Sequence, residues 1–203
     1  METIPNPKIQ NPNPTLFPVI LAVPNKIQQL TGREKVSSLS KHARKALEIS
    51  AKKSHVQLRN LKKDEKGVPL PFNGNYWSLT HKPKYVAGVI ASTTIGIDIE
   101  KIRSCSKALF RRTAHDSEWK LSDTDPFILF YRYWTSKESV LKASGTGIRD
   151  LSKCRIIRII DDNHLIIDYR HQEWLIEHFY FDEHIASVVK NDFNVEWTNQ
   201  VTS

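Results

Sequence analysis

The chain has 203 residues, of which 39% are hydrophobic and 26% charged, and this suits a globular protein with one large domain or two small ones. It has no apolar run of about eighteen residues and no signal-like start, so we expect a cytoplasmic protein without a membrane span. Its only cysteines, Cys105 and Cys154, lie far apart, which favours reduced thiols over a disulfide framework.

The positive charge is concentrated in the first part of the chain. Residues 1–90 contain 15 Lys and Arg against 5 Asp and Glu, whereas residues 91–203 contain 15 against 17. A basic half suits a nucleic acid, an anionic membrane, a polyphosphate ligand or an acidic protein partner. The charge alone does not choose among these partners.

The N-terminal half predicts a leader, a strand and a long helix. Four prolines predict an irregular leader over residues 1–15, and residues 16–23 have the pattern of a strand. Apolar residues recur at helical spacing over residues 33–55, with basic residues between them. That basic face is either solvated or turned towards phosphate groups; its members include Lys41, Arg44 and Lys45.

A hairpin is predicted next, with strands at residues 76–80 and 85–91, and it leads into a strand over residues 95–100. Alternate side chains of a strand point to opposite faces. The isoleucines of the last strand therefore share one face, and the other face carries Asp98 and Glu100. An antiparallel strand with one solvent-exposed face has the same pattern without any functional site.

A helix is predicted over residues 126–143, with Gly145 after its end. Glu138 lies close to the apolar stripe of this helix. A carboxylate buried there needs a cation, strong donors or a raised pKa. Together with Asp98 and Glu100, Glu138 offers enough oxygen ligands for a hard divalent cation.

The other segments complete an α+β pattern. Residues 102–125 are mixed and polar and favour no element, and residues beyond 190 have the composition of a tail. Both halves have the order strand, long helix, pair of strands, which makes a pseudo-duplicated architecture a hypothesis. Further strands are predicted at residues 155–160, 165–169, 174–181 and 185–189.

Several motifs together resemble a known family. Gly96-Ile-Asp-Ile-Glu100, followed by Trp134-Thr-Ser-Lys-Glu138-Ser-Val-Leu-Lys142 and Gly145-Thr-Gly147-Ile148, resembles the paired signature of the 4'-phosphopantetheinyl transferases. Upstream, Trp77-Ser-Leu-Thr-His81 resembles the family's Asn-x-Ser-His segment, and Gly67-Val-Pro69 resembles its Gly-Lys-Pro turn. The length is similar to that of the monomeric, two-lobed class that activates synthetases such as surfactin synthetase.

This resemblance implies a pseudo-duplicated, two-lobed α+β fold, with each lobe a long helix packed on a small antiparallel sheet. We expect four parts: a leader (1–15), a basic N-terminal lobe on the phosphate side of coenzyme A (16–94), a C-terminal lobe with the metal site (95–190) and a tail (191–203).

The resemblance also implies an activity. The 4'-phosphopantetheine arm of coenzyme A passes to a serine of an apo acyl or peptidyl carrier protein, which gives the holo carrier and 3',5'-ADP, as in holo-acyl-carrier-protein synthases. Asp98, Glu100 and Glu138 match the Mg²⁺ ligands, with Mn²⁺ as an alternative ion. Lys142 matches the lysine beside the reacting diphosphate, and His81 matches the histidine that contacts the 3'-phosphate.

Further roles are expected on the same basis. Glu138 and Lys142 are the candidate catalytic residues, and a proton-accepting role of Glu138 ranks below its metal role. The carrier protein is expected to be acidic, the enzyme monomeric, and neither nucleic acid nor membrane a partner. Fatty-acid, polyketide and peptide synthesis remain open as pathways. The candidate residues for coenzyme A are His81, Lys142, Lys41, Arg44, Lys45 and Lys82.

The chain departs from the family pattern at three positions. Val68 stands in place of the lysine of Gly-Lys-Pro, so that Lys66 or Lys82 is expected to supply the missing charge. Trp77 replaces the asparagine, and Thr80 replaces the serine before the histidine while keeping a hydroxyl group.

Two other functions are compatible with parts of the sequence. A nucleic-acid-binding module would use the basic half, with Tyr76, Trp77 and Tyr85 as stacking groups, but it gives no reason for the three carboxylates. A catalytically inactive relative that only binds carrier proteins is the other alternative, and the intact carboxylate triad argues against it.

Overall fold

The computed structural model describes residues 13–200, which form a mixed α+β protein. The predicted leader lies mostly outside these residues. The strands are β1 (Thr15–Leu16), β2 (Val19–Ala22), β3 (Tyr76–His81), β4 (Tyr85–Ala91), β5 (Ile97–Lys101), β6 (Arg155–Asp161), β7 (His164–Tyr169), β8 (Gln172–Phe181), β9 (His184–Val189), β10 (Asn194–Val195) and β11 (Thr198–Gln200). The α-helices are α1 (Asn25–Gln28), α2 (Gly32–Lys53), α3 (Lys107–Thr113), α4 (Asp116–Trp119) and α5 (Pro126–Ser144), and a 3-10 helix follows at Ile148–Lys153.

The first sheet has the strand order β11-β2-β4-β3, and helix α2 packs on it. The helix buries Leu39, Ala43 and Leu47 against the sheet, as its apolar spacing predicts. Strands β2, β3 and β4 pair antiparallel, whereas β11 runs parallel to β2. This sheet is therefore mixed and not purely antiparallel, because β11 returns beside β2.

The second sheet has the order β5-β9-β8-β7-β6 and is antiparallel throughout. Helix α5 packs on β5 and β9. At its start, an oxygen of Asp125 accepts hydrogen bonds from the backbone N–H groups of Phe127 and Ile128 at 2.9 and 3.1 Å. At its end, Gly145 adopts a left-handed conformation with φ of 68°. The helix predicted from these sequence signals is confirmed.

Strand β5 lies against α5 so closely that no side chain fits at residue 96. A Cβ atom on Gly96 would lie 1.8 Å from the carbonyl oxygen of Ser139 on the helix. The glycine of the signature strand is therefore explained by packing. The close contact that this glycine allows brings the carboxylate-bearing strand within reach of the lysine and glutamate side chains of α5.

The two sheets share one apolar core. Ile20 and Val89 from the first sheet belong to the same buried cluster as Ile97 and Ile99 of β5. Burial of each isoleucine contributes roughly 1.5–3 kcal/mol. The predicted lobes thus pack on a common core.

Two segments differ from the sequence prediction. The predicted tail contains β10 and β11, which pair in parallel with β1 and β2. The segment 102–125, which favoured no element, contains α3 and α4. Elements of two to seven residues are too short to show a clear period, and their partners lie far away in the sequence.

Candidate functional site

Asp98 is the buried centre of the site. Its side chain is only 1% exposed, and its Oδ1 accepts hydrogen bonds from Thr80 Oγ1 at 2.8 Å and from Lys142 Nζ at 2.7 Å. Lys142 Nζ also donates to the carbonyl oxygen of Ile97 at 3.0 Å. The polar face of the signature strand is therefore not exposed to solvent at Asp98, and the carboxylate there is paired with the ammonium of Lys142.

The second oxygen of Asp98 has a different environment. Asp98 Oδ2 is buried and has no hydrogen-bond partner among residues 13–200. A buried carboxylate oxygen without a partner is costly. This oxygen is consequently available to a cation or to a donor group of a ligand.

Glu138 lines a pocket beside Lys142. Burial raises the pKa of Glu138 to about 7, and the charge of Asp98 adds to the rise, while Lys142 and Lys82 oppose it. Asp98 and Glu138 are therefore close enough to interact electrostatically. The structure thus brings together side chains from a strand and a helix that lie forty positions apart in the sequence.

Glu100 is paired with a lysine. Lys82 Nζ donates to Glu100 Oε1 at 2.5 Å. Burial and then the charge of Asp98 raise the pKa of Glu100. Burial opposes the protonated form of Lys82, but Asp98 and Glu100 outweigh it and raise the pKa of this lysine. The site therefore contains both carboxylates and lysine ammonium groups, which lie close to each other.

The donor chemistry of the site fits a hard divalent cation. Carboxylate oxygens are the ligands that Mg²⁺ prefers, and Asp98 Oδ2 has no other partner in the described chain. As the side chains stand, no group of three or more His, Cys, Asp or Glu within residues 13–200 is arranged to hold a metal ion. The ligand set Asp98, Glu100 and Glu138 stays a prediction.

The pocket has a volume of about 280 Å³. Three cations and one carboxylate contribute to its wall, together with a larger apolar surface. This mixture suits an anionic ligand that also has an apolar part. The charged residues are Lys63, Lys66, Glu138 and Lys142, and the apolar ones include Val68, Pro69, Leu79, Leu141 and Ile148.

The departures from the family pattern have distinct structural roles. Val68 lies in the pocket wall. Trp77 is 2% exposed, and its indole Nε1 donates to the carbonyl oxygen of Leu70 at 3.0 Å, so it is a core residue. Thr80 uses the retained hydroxyl to bind Asp98. The sequence showed no reason to expect Lys63 in the pocket.

Two of the predicted basic residues lie near the lysines of the site. His81 ends β3, and partial burial and then the charges of Lys142 and Lys82 lower its pKa. Arg44 acts on the pocket lysine Lys63, whose pKa is lowered by burial, by Arg44 and by Lys142.

Lys41 and Lys45 lie elsewhere. Both line a separate surface hollow between α1 and α2, together with Lys26 and His42. The basic face of α2 was expected to be either solvated or turned towards phosphate groups, and the helix turns its basic side chains in different directions. The structure does not bring Lys41 or Lys45 to the pocket.

Lys137 has a structural partner that the sequence did not identify. Its ammonium is fully buried and donates to Glu118 Oε1 and to the carbonyl oxygen of Thr113, both at 2.7 Å. Lys137 is thus paired with a carboxylate and does not reach solvent. The pair ties the segment between the two signature motifs to α5.

The aromatic residues required for nucleic-acid stacking are not available on the surface. Trp77 and Tyr85 are buried, and Tyr85 Oη donates to Asp182 Oδ2 at 2.7 Å. Tyr76 is partly buried. Trp77 and Tyr85 are therefore not free to stack on bases, as the nucleic-acid-binding alternative requires of them.

A known protein family matches the second half of the chain. The family model of the 4'-phosphopantetheinyl transferase superfamily matches residues 94–195, which include β5 and α5, and the chain belongs to this superfamily. No helix within residues 13–200 is both long and apolar enough to cross a bilayer.

Curated relatives are similar over part of their length. A 4'-phosphopantetheinyl transferase of Bacillus subtilis is 27% identical over 97 residues, which are 46% of this chain and 43% of the relative. The transferase gsp of Aneurinibacillus migulanus is 26% identical over 112 residues, 50% and 47% of the two chains. HetI of Nostoc sp. is 33% identical over 91 residues, 41% and 38%. The chain thus spans less than half the length of these relatives.

Proposed function

We propose that the protein transfers the 4'-phosphopantetheine arm of coenzyme A to a serine of an apo acyl or peptidyl carrier protein. The observation that carries this proposal is the contact between Lys142 and Asp98 at a cationic pocket that also contains Glu138. The curated relatives named above are 4'-phosphopantetheinyl transferases, which supports the same reaction.

The reaction replaces one phosphorus–oxygen bond by another. The serine oxygen bonds to the phosphorus that carries pantetheine, and the bond from this phosphorus to the leaving 3',5'-ADP breaks. Lys142 stabilises the negative charge that develops on the diphosphate oxygens. In addition to its role as a metal ligand, which ranks first, Glu138 accepts the serine proton directly or through a water molecule.

Asp98, Glu100 and Glu138 would hold Mg²⁺, with Mn²⁺ as the alternative ion. When bound, the ion would neutralise negative charge on the diphosphate of coenzyme A. The unpartnered Asp98 Oδ2 supports this assignment. The protein would otherwise contribute mainly by positioning the two substrates.

The basic residues near the pocket are proposed to bind coenzyme A. His81, Lys82 and Arg44 lie on the side of the first sheet, from which they can reach phosphate groups. We further propose that the enzyme is monomeric. Both cysteines are free, which suits a cytoplasmic location. The N-terminal half is basic, which suits an acidic carrier as partner.

The fold is proposed to be a pseudo-duplicated, two-lobed one. The first half has the order β2, α2, β3, β4, and the second has a strand, the long helix α5 and then a set of antiparallel strands. Each long helix packs on the sheet of its own half. These parallels support the proposal.

The test uses the full chain with coenzyme A, Mg²⁺ and apo carrier proteins from fatty-acid, polyketide and peptide synthesis. We expect one carrier to gain the mass of one phosphopantetheine, detected by mass spectrometry. If every carrier stays unmodified while the protein still binds one of them, the protein is an inactive carrier-binding relative and the proposed activity is wrong.

A further inference from the structure

We propose that Lys63 binds a phosphate group of coenzyme A and supplies the positive charge that position 68 lacks in this chain. The inference rests on the proposed function, because it concerns the same pocket and ligand. It names a binding residue that lies outside all the motifs described above.

A short hairpin brings Lys63 to the pocket. Lys63 and Pro69 face each other across an antiparallel bridge, and the backbone N–H of Asp64 donates to the carbonyl oxygen of Val68 at 2.9 Å. The Oδ1 atom of Asp64 accepts hydrogen bonds from the N–H groups of Lys66 and Val68 and so closes the turn. Lys63 is therefore a spatial neighbour of Val68, although it lies five positions earlier in the chain.

The side chain of Lys63 is directed by a buried residue. Its Nζ lies 5.9 Å from the ring centroid of Trp77, within the range of a cation–π contact. Trp77 is itself fixed in the core and holds the carbonyl oxygen of Leu70 at the end of the hairpin. The tryptophan that replaces the family's asparagine thus places both the hairpin and the ammonium.

The charges around Lys63 favour an anion. Lys63 takes part in none of the ion pairs formed within residues 13–200. Burial and the neighbouring charges of Arg44 and Lys142 lower its pKa. Three lysines share the pocket with one carboxylate, and a phosphate group would stabilise this excess of positive charge.

The two lysines expected from the sequence are less suitable. Lys82 is already paired with Glu100 at 2.5 Å. Lys66 lines the pocket, but it lies in the tip of the hairpin, one residue before Gly67. Lys63 combines a place in the wall, a contact with the ring of Trp77 and the absence of a carboxylate partner in the described chain.

The experiment measures the dissociation constant of coenzyme A by titration calorimetry on the full chain. We expect Lys63→Met to raise it about tenfold or more and Lys63→Arg to leave it within about threefold. Lys62→Met is the matched control, because Lys62 is the preceding residue, is exposed as Lys63 is, and does not line the pocket. It should bind as the wild type does.

Three results would overturn the inference: unchanged affinity in Lys63→Met, an equal loss in Lys62→Met, or a larger loss in Lys66→Met. If the wild-type chain does not bind coenzyme A at all, the proposed function itself fails, so the two failures can be told apart.

A second variant tests whether the two positions are equivalent. Lys63→Met combined with Val68→Lys places a lysine where the family has it. We expect the dissociation constant to return to within about threefold of the wild-type value. Melting temperatures of all variants should match, since the hairpin is on the surface. No recovery in the double variant would overturn the claim that Lys63 replaces a lysine at position 68.

Discussion

At the scale of single residues, one buried carboxylate determines the positions of the groups around it. Asp98 holds Thr80 and Lys142 through one oxygen and leaves the other without a partner in the described chain. An unpaired buried oxygen is a cost to folding. We therefore infer that Asp98 serves ligand binding more than stability.

Asp98→Asn keeps the shape of this side chain and removes its charge. We expect the rate of carrier modification to fall at least about a hundredfold, because the amide is a poor ligand for a cation and a poor partner for Lys142. Mass spectrometry of the carrier measures the rate, and circular dichroism checks the fold. Asp192→Asn, at an exposed position, is the control. A near-normal rate for Asp98→Asn in Mg²⁺ would show that the site is misassigned.

Lys142→Met removes the ammonium that faces the pocket. We expect kcat to fall at least about a hundredfold while the affinity for coenzyme A changes less than tenfold, because this charge acts on the developing diphosphate charge. Steady-state kinetics and calorimetry separate the two quantities. Lys153→Met, on the exposed lysine that pairs with Asp150, should leave both unchanged. An effect confined to KM would contradict the assigned role of Lys142.

At the scale of elements, the site depends on the contact between β5 and α5. The strand supplies Asp98 and Glu100, and the helix supplies Glu138 and Lys142. Their approach is close only because residue 96 has no side chain. Packing of one helix on one strand therefore sets the geometry of all four side chains.

Gly96→Ala tests this contact. Its added methyl group would lie 1.8 Å from the carbonyl oxygen of Ser139, so that strand or helix must move. We expect a loss of about 1–3 kcal/mol in the free energy of unfolding, together with weaker binding of coenzyme A. Urea unfolding and calorimetry measure the two effects. Thr94→Ala, at an exposed position two residues earlier, should change neither, and a fully stable, active Gly96→Ala would refute the packing argument.

At the scale of the whole molecule, distant parts of the chain complete both sheets and the core. The final strands β10 and β11 pair with β1 and β2, and Lys53 Nζ contacts Glu196 Oε1 at 2.7 Å. The interior of the second sheet also buries a histidine. His178 is 3% exposed, and its Nδ1 lies 2.9 Å from Ser187 Oγ.

The buried histidine predicts how stability depends on pH. Burial, and then the charges of Arg132 and His164, hold the pKa of His178 well below its usual value. Above about pH 6.5, His178 is neutral in both the folded and the unfolded chain. Below that pH the unfolded chain takes up a proton that the folded chain does not, so the free energy of unfolding falls by as much as about 1.4 kcal/mol per pH unit.

His178→Gln should remove this contribution to the slope between pH 6.5 and 5.5. Urea unfolding at several pH values measures the slope of the free energy of unfolding against pH. The slopes of variant and wild type are compared, and not their absolute stabilities, because the substitution itself changes packing. His171→Gln, on an exposed histidine in the turn before β8, is the control and should keep the wild-type slope. A wild-type slope in His178→Gln would refute the assignment.

Local patterns predicted much of the fold and part of the site. The period of apolar residues, Pro126 and Gly145 predicted the long helix, and alternation predicted the strand that bears Asp98. The order of the strand and helix motifs predicted which carboxylates to consider. The signals for each element lie within a few residues of each other, which is why the sequence alone determined the helix and the strand.

Other features depended on contacts between residues far apart in the sequence. Only the tertiary structure shows that Lys137 pairs with Glu118, that Trp77 is buried, and that Lys41 and Lys45 lie apart from the pocket where Lys63 stands. It also decides that the last residues join the first sheet. Such pairings depend on which surfaces the folded chain brings together, and no local spacing of residues records that choice.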